Sequence, residues 1–502
     1  MFKKILIANR GEIALRVMRA CREMGIPSVA IYSDADRGGL HVRSADEAHR
    51  VGPAPSAESY LNIPAILDIA KKTGCEAIHP GYGFVSERAA FASACAEAGI
   101  TFIGPPASAI EAMGDKVHAR NRMIAAGVPV VPGTDPLPHD PEAALAAVAK
   151  IGYPIMLKAS AGGGGKGMRV IKDPADLPDA LTAARSLARS AFGDEQVYAE
   201  RYLEEPHHIE IQLLADTQGN AVYLFERECS VQRRHQKVVE ETPSTFVSRD
   251  IVRQMGEIAV KAAKAVGYTG AGTVEFLVDR HKHFYFLEMN TRLQVEHPVT
   301  EMTTGIDLVK AQIRVANGEA LWFTQQDLAQ HGHAIEVRVY AEDPEENYLP
   351  SPGKITAMRL PCGPGIRLDE GFEAGDEVPI YYDPMIAKLI VHADDRATAI
   401  ARMARALAEY EVKGIRTNLA FLHSVILHPG FGRGGYDTGF LDQYASEILA
   451  PLVPSQDDKA RALVVAAVRA FEKSKQASPA AGSSQNGTAA PASRWKWADR
   501  VK

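Results

Sequence analysis

The sequence predicts a multidomain protein of mixed α/β and α+β class, and three stretches carry that prediction. The first 33 residues read as strand, helix, strand. The middle of the chain alternates strand-like and helical runs around four consecutive glycines, Gly162–Gly165. From residue 333 the apolar pattern becomes largely that of strands.

In order, residues 3–8 are a strand, Ile13 to Met24 an amphipathic helix and Ile26 to Ser33 the next strand. Such a βαβ opening predicts a parallel sheet. Its turn, Asn9-Arg10-Gly11-Glu12, is not G-x-G-x-x-G, which disfavours a nicotinamide dinucleotide site. A helix at 62–73, the strand Ala77–His79, the glycine turn Pro80–Phe84, a helix from Ser86 to Ala98 and a short strand at Thr101–Ile103 complete a first domain, 1–114. His79 and Tyr82 flank a turn at a strand end, where α/β domains place sites; a satisfied core histidine is an equal reading.

A second domain, 115–330, starts with a helix from Asp115 to Ala126 and an extended link, Val128–Gly133. The strand Pro154–Lys158, the glycine run with Lys166, a returning strand, a helix at 176–190 and strands at 197–203, 207–214 and Tyr223–Glu228 follow. Gln232–Lys237 reads as a basic turn, Arg253–Val266 as a helix, and Gly270–Asp279 with His283–Leu287 as a hairpin carrying Glu275 and Glu288. The third domain, 331–446, holds the strands from His333 onward and helices near 397–408 and 417–426. A helical extension, 447–473, leads to a small, polar linker from 474. The chain ends in the aromatic-basic patch Arg494–Trp497, readable as a docking peptide, a strand packed on the body or a frayed end.

Composition sets the compartment and excludes some partners. The 502 residues are 46% apolar and 24% charged, with a net charge of −6, which gives no support for nucleic-acid binding. No apolar run of 18 residues points to a membrane span. The five cysteines are scattered without a C-x-x-C pair, so neither a zinc site nor a disulfide framework is expected, and the reading is a cytoplasmic protein.

Chemistry gathers at Glu288-Met-Asn-Thr-Arg-Leu-Gln-Val-Glu296. If this segment stays extended, a period of two puts Glu288, Asn290, Arg292, Gln294 and Glu296 on one face. Two carboxylates, two amides and a guanidinium together suit a divalent cation beside an anionic substrate; a salt bridge between Glu288 and Arg292 on a solvated edge is the plainer reading. The glycine run and Lys166 can wrap phosphate oxygens, although Gly167-Met168 departs from a P-loop. Lys158 ends an apolar strand beside that loop. Lys116, in a first helical turn that does not favour a cation, suggests an anionic partner. Glu275, Glu288 and Asn290 offer hard oxygen ligands suited to Mg²⁺. Arg233–Lys237 is a solvated basic turn on its own and an anion site beside a metal–phosphate pair. Arg338 shares a strand face with Glu336, its possible salt-bridge partner.

Taken together, the motifs KILIANRGEIALRV (4–17), HPGYGFVSE (79–87), GGGGKGMR (162–169), ERECSVQRRHQKVVEE (226–241), EMNTRLQVEHPVTE (288–301) and YYDPMIAKL (381–389) closely resemble biotin carboxylase, the ATP-grasp component of biotin-dependent carboxylases, over residues 1–446. The resemblance implies a Rossmann-like N-terminal domain, a central ATP-grasp region with a mobile lid at about 131–203 and a C-terminal β-rich domain. It implies a ligase that uses ATP and Mg²⁺ or Mn²⁺ to activate bicarbonate as carboxyphosphate. CO₂ is then transferred to N1 of biotin.

Residue by residue, Lys116, Lys158, Lys166 and Gly162, Gly163, Gly164 and Gly165 match phosphate contacts. Glu200, Tyr202 and Leu203 match the adenine hinge, and His208, Gln232 and His235 positions near the ribose and phosphates. Lys237, Arg292, Gln294 and Val295 match the bicarbonate pocket. Glu275 and Glu288 match the metal ligands, with Asn290 close by. Glu296 matches the general base, Arg338 the group that stabilises the biotin enolate, and Tyr82 and Asp383 positions near biotin. No Ala/Val-Met-Lys-Met biotinylation sequence occurs, so biotin is expected on a separate carrier protein, with a carboxyltransferase as second partner and a homodimer implied. Two rivals compete: another ATP-grasp ligase, and a nucleotide-sensing scaffold without chemistry.

Overall fold

The structure, a computed structural model, describes residues 1–160, 168–450 and 456–476. The glycine run with Lys166, the side chain of Lys116 and the tail from 477, with Arg494–Trp497, lie outside the described residues. The chain divides after residue 452 into two units, each treated by itself.

The first unit opens with β1 (Ile5–Ile7), α1 (Gly11–Glu23), β2 (Ser28–Ser33), β3 (Glu47–Gly52), β4 (Ala77–His79) and β5 (Thr101–Phe102). These strands form one parallel sheet in the order β3-β2-β1-β4-β5. Ile5, Leu6 and Ile7 are all fully buried, as expected of a central strand covered on both faces. The edge strand β3 escapes the hydropathy pattern because Glu47, His49 and Arg50 face outward in part. The strand order reverses between β1 and β4, where α/β sheets open a crevice. There Asn9 Nδ2 donates to the carbonyls of Pro80 and Tyr82, both at 2.7 Å, and ties the two turns together. Gly81 has φ +63°, and a Cβ on it would lie 2.9 Å from that amide nitrogen, so glycine is required.

A small antiparallel sheet follows: β6 (Ile155–Ala159), β7 (Arg169–Ile171) and β8 (Val197–Arg201), in the order β7-β6-β8. The helices Pro141–Ala149 and Leu177–Phe192 bury Val148, Leu181 and Ala188 against it. Next come β9 (His207–Ala215), β10 (Ala221–Arg233), β11 (Gln236–Thr242), β12 (Gly270–Val278), β13 (Phe284–Asn290) and β14 (His333–Tyr340). With the strands Met385–Ala393 and Ile366–Glu370 they make one eight-stranded antiparallel sheet, in the order β13-β12-β9-β10-β11-β14 and then those two. The sheet crosses residue 330 without interruption.

Its two faces differ along β14. Ile335, Val337 and Val339 enter a core shared with helices Arg396–Glu409 and Leu419–Leu427, whereas Glu336, Arg338 and Tyr340 face the other way. Strand β10 has register shifts between Tyr223 and Glu226 and again between Glu228 and Gln232, and Phe225 lies at φ +63°. Such bulges bend a strand and increase its twist, so the sheet curls.

In the second unit the helix Gln456–Gln476 exposes Leu463, Val464, Val465 and Val468. It extends past 473, so residues 474–476, expected as linker, are helical. No helix among the described residues is long and apolar enough to cross a membrane.

Candidate active site

The site grows out of a row of acidic and basic side chains across the sheet. Arg227 on β10 stands opposite Glu210 on β9, Glu210 opposite Glu275 on β12, and Glu275 opposite Glu288 on β13. Three carboxylates in one cross-strand row repel one another unless cations intervene. Arg227 is one such cation, fully buried and with each of its three nitrogens bonded: it donates to Glu210 (2.5 Å), Gln212 (2.6 Å), Thr300 (3.0 Å) and Thr273 (3.0 Å).

Lys237 is the other. Its ammonium donates to Glu210 (2.6 Å), Glu275 (2.8 Å) and Glu296 (2.6 Å). Burial works against its charge, but the three carboxylates hold its pKa well above the usual lysine value. Glu296 is fully buried and also accepts from Arg338 at 3.0 Å. Burial alone would raise its pKa; Lys237, Arg338 and Arg227 outweigh burial and keep it well below the usual carboxylate range. Arg338 in turn is gripped by Glu240 at 2.7 and 2.6 Å. Glu336 shares its face but makes no hydrogen bond to it, so the Arg338–Glu336 salt bridge does not form.

The extended-face reading of residues 288–296 needs correcting. The strand stops at Asn290, residues 291–296 form a turn, and Glu296 stands at the N-cap position of the helix His297–Thr304 without its side chain capping it. Leu293 is completely buried against α1 and Leu308, and the chain turns to place it there. Glu87 fixes this turn by accepting from the Thr291 N–H (3.0 Å) and from Arg292 Nε (2.9 Å), so Arg292 pairs with Glu87 rather than Glu288. Its other nitrogens reach Gln294 (3.0 Å) and Asn290 (3.1 Å). Asn290 and Gln294 both donate to Glu275, at 2.9 and 3.2 Å. Asn290, Arg292 and Gln294 thus meet by way of a turn, Glu296 reaches Glu275 through Lys237, and Glu288 stands opposite Glu275 on β13.

The basic turn also divides. Gln232 pairs directly across from Lys237 in a β10–β11 hairpin whose tip, Arg234–His235, has positive φ at both residues. Arg233 stacks on Tyr348 (3.8 Å) and pairs with Glu342, and Arg234 bonds Asn347. Only Lys237 enters the charged row, because strand alternation and these partners draw the two arginines elsewhere. His235 is exposed at the tip. His208 Nδ1 accepts from Gln232 Nε2 at 2.8 Å, and its Nε2 lies 3.1 Å from Glu275. Lys158 and Glu200 form a 2.5 Å ion pair on the small sheet, and Tyr202 and Leu203 continue from β8, half-buried. His79 is a buried core residue whose Nδ1 accepts from the Gly81 N–H.

Beside the row is a cavity of about 500 Å³. Arg292, Val295, Arg338, Tyr82 and Asp383 line it, together with the turn Asn9–Ile13 from the crevice of the first sheet. Glu275 and Glu288, opposite each other with Asn290 two residues on, are an all-oxygen donor set that fits a hard divalent cation.

Profiles of the biotin carboxylase N-terminal domain and C-terminal domain match residues 1–110 and 336–443, and the carbamoyl-phosphate synthase L chain ATP-binding domain matches 115–323. The chain belongs to the biotin carboxylase family. It is 54% identical over 453 residues to a pyruvate carboxylase subunit from Methanothermobacter thermautotrophicus, covering 90% of this chain and 92% of that one. It is 54% identical over 444 residues to the biotin carboxylase of Halalkalibacterium halodurans, covering 88% and 98%. The biotin carboxylase domain dimer of Hydrogenobacter thermophilus 2-oxoglutarate carboxylase, solved with MgADP, ADP and bicarbonate, superposes with a TM-score of 0.85 at 47% identity, covering 89% of this chain and 99% of that one.

Against this biotin carboxylase frame, several groups built into the site were not among the sequence candidates: Glu210, Arg227, Glu240 and Glu87. Three of them stand in motifs already singled out, Glu87 in HPGYGFVSE and Arg227 and Glu240 in ERECSVQRRHQKVVEE. Glu210 had a parity signal, since His208, Glu210 and Gln212 alternate along a strand that is buried throughout.

Proposed function

We infer that this chain carboxylates biotin carried on a separate protein, using ATP and bicarbonate by way of carboxyphosphate, as the first half-reaction of an acyl-CoA or 2-oxo-acid carboxylase. The observation that carries the reading is the buried, ionised Glu296 shared by Lys237 and Arg338, with Arg338, Arg292 and Val295 on the wall of one cavity.

Bicarbonate is a weak nucleophile until its proton is removed. Arg292 is the group that grips the anion, with Lys237, Gln294 and Val295 around it, and Glu296 takes the proton. The bicarbonate oxygen then attacks the terminal phosphorus, and the P–O bond to ADP breaks. Carboxyphosphate separates into CO₂ and phosphate; the phosphate takes the proton from N1 of biotin, and the freed N1 adds to CO₂. Arg338 neutralises the charge that builds on the ureido oxygen. Tyr82 and Asp383 flank that end of the cavity. Glu275, Glu288 and Asn290 would hold Mg²⁺, which supplies charge neutralisation on the transferring phosphate. Lys116, Lys158, Lys166 and Gly162–Gly165 are assigned to the phosphates, Glu200, Tyr202 and Leu203 to adenine, and His208, Gln232 and His235 to the ribose and phosphates.

The partners that fit are a biotin carrier protein, a carboxyltransferase and a second copy of this chain. The related 2-oxoglutarate carboxylase domain was solved as a dimer. Free cysteines at Cys21, Cys75, Cys95, Cys229 and Cys362 agree with a reducing cytoplasm. The test is ADP release from purified protein with MgATP, bicarbonate and free biotin. Release that depends on both bicarbonate and biotin supports the reading. Release without biotin dependence points to another ATP-grasp ligase, and none at all to a scaffold.

A further inference from the structure

We propose that Lys388 is a positioning residue for the base Glu296, acting through the peptide that joins Val295 to Glu296. The proposal rests on the reading of Glu296 and Val295 given above.

Lys388 is fully buried on the strand Met385–Ala393. Its Cα pairs with Arg338 on one side and with Asp369 on the other, so the three side chains form a row across the face of the sheet that carries Arg338. An ammonium in such a place is costly to bury unless it is closely partnered. Its two carboxylates are in ion-pair range but are not its shortest contact: Glu12 is at 3.3 Å and Asp369 at 3.8 Å. Asp369 is already held by Arg367 at 3.0 and 2.8 Å. The one short bond that Lys388 makes among the described residues is to the carbonyl of Val295, at 2.8 Å.

That carbonyl lies in the same rigid plane as the Glu296 N–H. Fixing it fixes the N–Cα axis from which the Glu296 side chain departs, at the end of a turn that has no strand pairing to hold it. Glu12, from the first turn of α1, and Asp369 supply the countercharge that keeps the ammonium in place. The first domain, the turn and the sheet are thereby tied to one atom. A lysine needed only to neutralise Glu12 would have no reason to aim at Val295.

The experiment compares wild type, Lys388→Met and the double variant Glu12→Gln/Lys388→Met. Sites are counted by ADP titration calorimetry, folding is followed by thermal melting, and bicarbonate-dependent ADP formation with free biotin is measured per site. The double variant removes both charges, so it repairs any electrostatic imbalance, but it cannot restore the bond to Val295. We expect both variants to bind ADP as wild type does. We expect kcat per site to fall roughly 10- to 100-fold and the bicarbonate KM to rise, the scale seen when an outer partner of a site is removed. A double variant that turns over at the wild-type rate overturns the proposal. So does a single variant whose loss is confined to melting temperature and fraction of active sites. If wild type itself shows no bicarbonate-dependent turnover, the functional reading falls, a result distinct from an active wild type with an equally active double variant.

Discussion

Glu296→Gln is the sharpest test of the site, because the structure separates its effect on rate from its effect on stability. The side chain is fully buried between two cations. Breaking a buried ion pair by removing one partner ordinarily costs about 3–5 kcal/mol, because the other charge is left alone. Here neither cation is left alone. Lys237 keeps Glu210 at 2.6 Å and Glu275 at 2.8 Å, and Arg338 keeps Glu240 at 2.6 Å. The glutamine fills the same volume and still accepts one hydrogen bond. The stability loss should therefore be that of weakened charge-assisted hydrogen bonds, about 1–3 kcal/mol. The rate loss is that of a general base, roughly 10²- to 10⁴-fold, or about 3–5 kcal/mol in the barrier. Bicarbonate-dependent ADP formation at saturating substrates measures the rate, and ADP titration and urea unfolding measure the rest. The reasoning fails if the variant retains a rate within roughly tenfold of wild type, or if nucleotide affinity collapses together with the rate.

Other outcomes follow from the same geometry. Arg338→Gln leaves bicarbonate-dependent ATP cleavage in place but lowers carboxybiotin formation by roughly 10²-fold or more, so phosphate and carboxybiotin yields diverge when both are assayed. Glu288→Gln shifts the Mg²⁺ requirement for turnover to higher concentration, while chelation of the metal abolishes turnover in both proteins and is reversed by adding it back. Glu241 is buried with His333 (2.7 Å), Arg396 (2.8 Å) and Tyr436 (2.5 Å), and despite its burial, which raises the pKa, His333 and Arg396 lower it to about 2. A depressed carboxylate pKa stabilises the fold above the unfolded value near 4.5, and that contribution disappears as pH falls through 2. Glu241→Gln is thus less stable than wild type by about 3 kcal/mol at pH 7, and urea midpoints of the two proteins converge as the pH is lowered below 4.

The architecture was largely legible because its signals are local. The βαβ opening, the carboxylate-bearing hairpin β12–β13 and the helix from Arg396 all follow from hydrophobic period and turn residues. The site was legible where it is concentrated in one segment, from Glu288 to Glu296. What stayed hidden depends on which strand lies beside which. Glu210 on a buried strand has the same alternation as a solvated edge, and only Arg227 opposite it shows why a carboxylate is tolerated there. Lys388 reads as one polar residue in an apolar strand until Arg338, Asp369 and the Val295 carbonyl are seen around it. The turn at Thr291–Glu296 was invisible for a similar reason: parity is a property of extended chain, and Glu87, some 200 residues earlier, helps to end the extension.

The bulges in β10 carry a consequence for how far Lys237 can stretch. Strands β12 and β11 are separated by β9 and β10, three spacings or roughly 14 Å on a flat sheet. A lysine and a glutamate extended toward each other barely span that gap, yet Lys237 and Glu275 meet at 2.8 Å while the same ammonium also touches Glu296. Backbone curvature, with an extra residue in β10 near Phe225 and another between Glu228 and Val231, the latter matched by one in β11 between Lys237 and Val239, accompanies the approach of Glu275 and Glu296 to within one side chain's length. On a flat sheet the same acids would lie too far apart for one ammonium to bind all three.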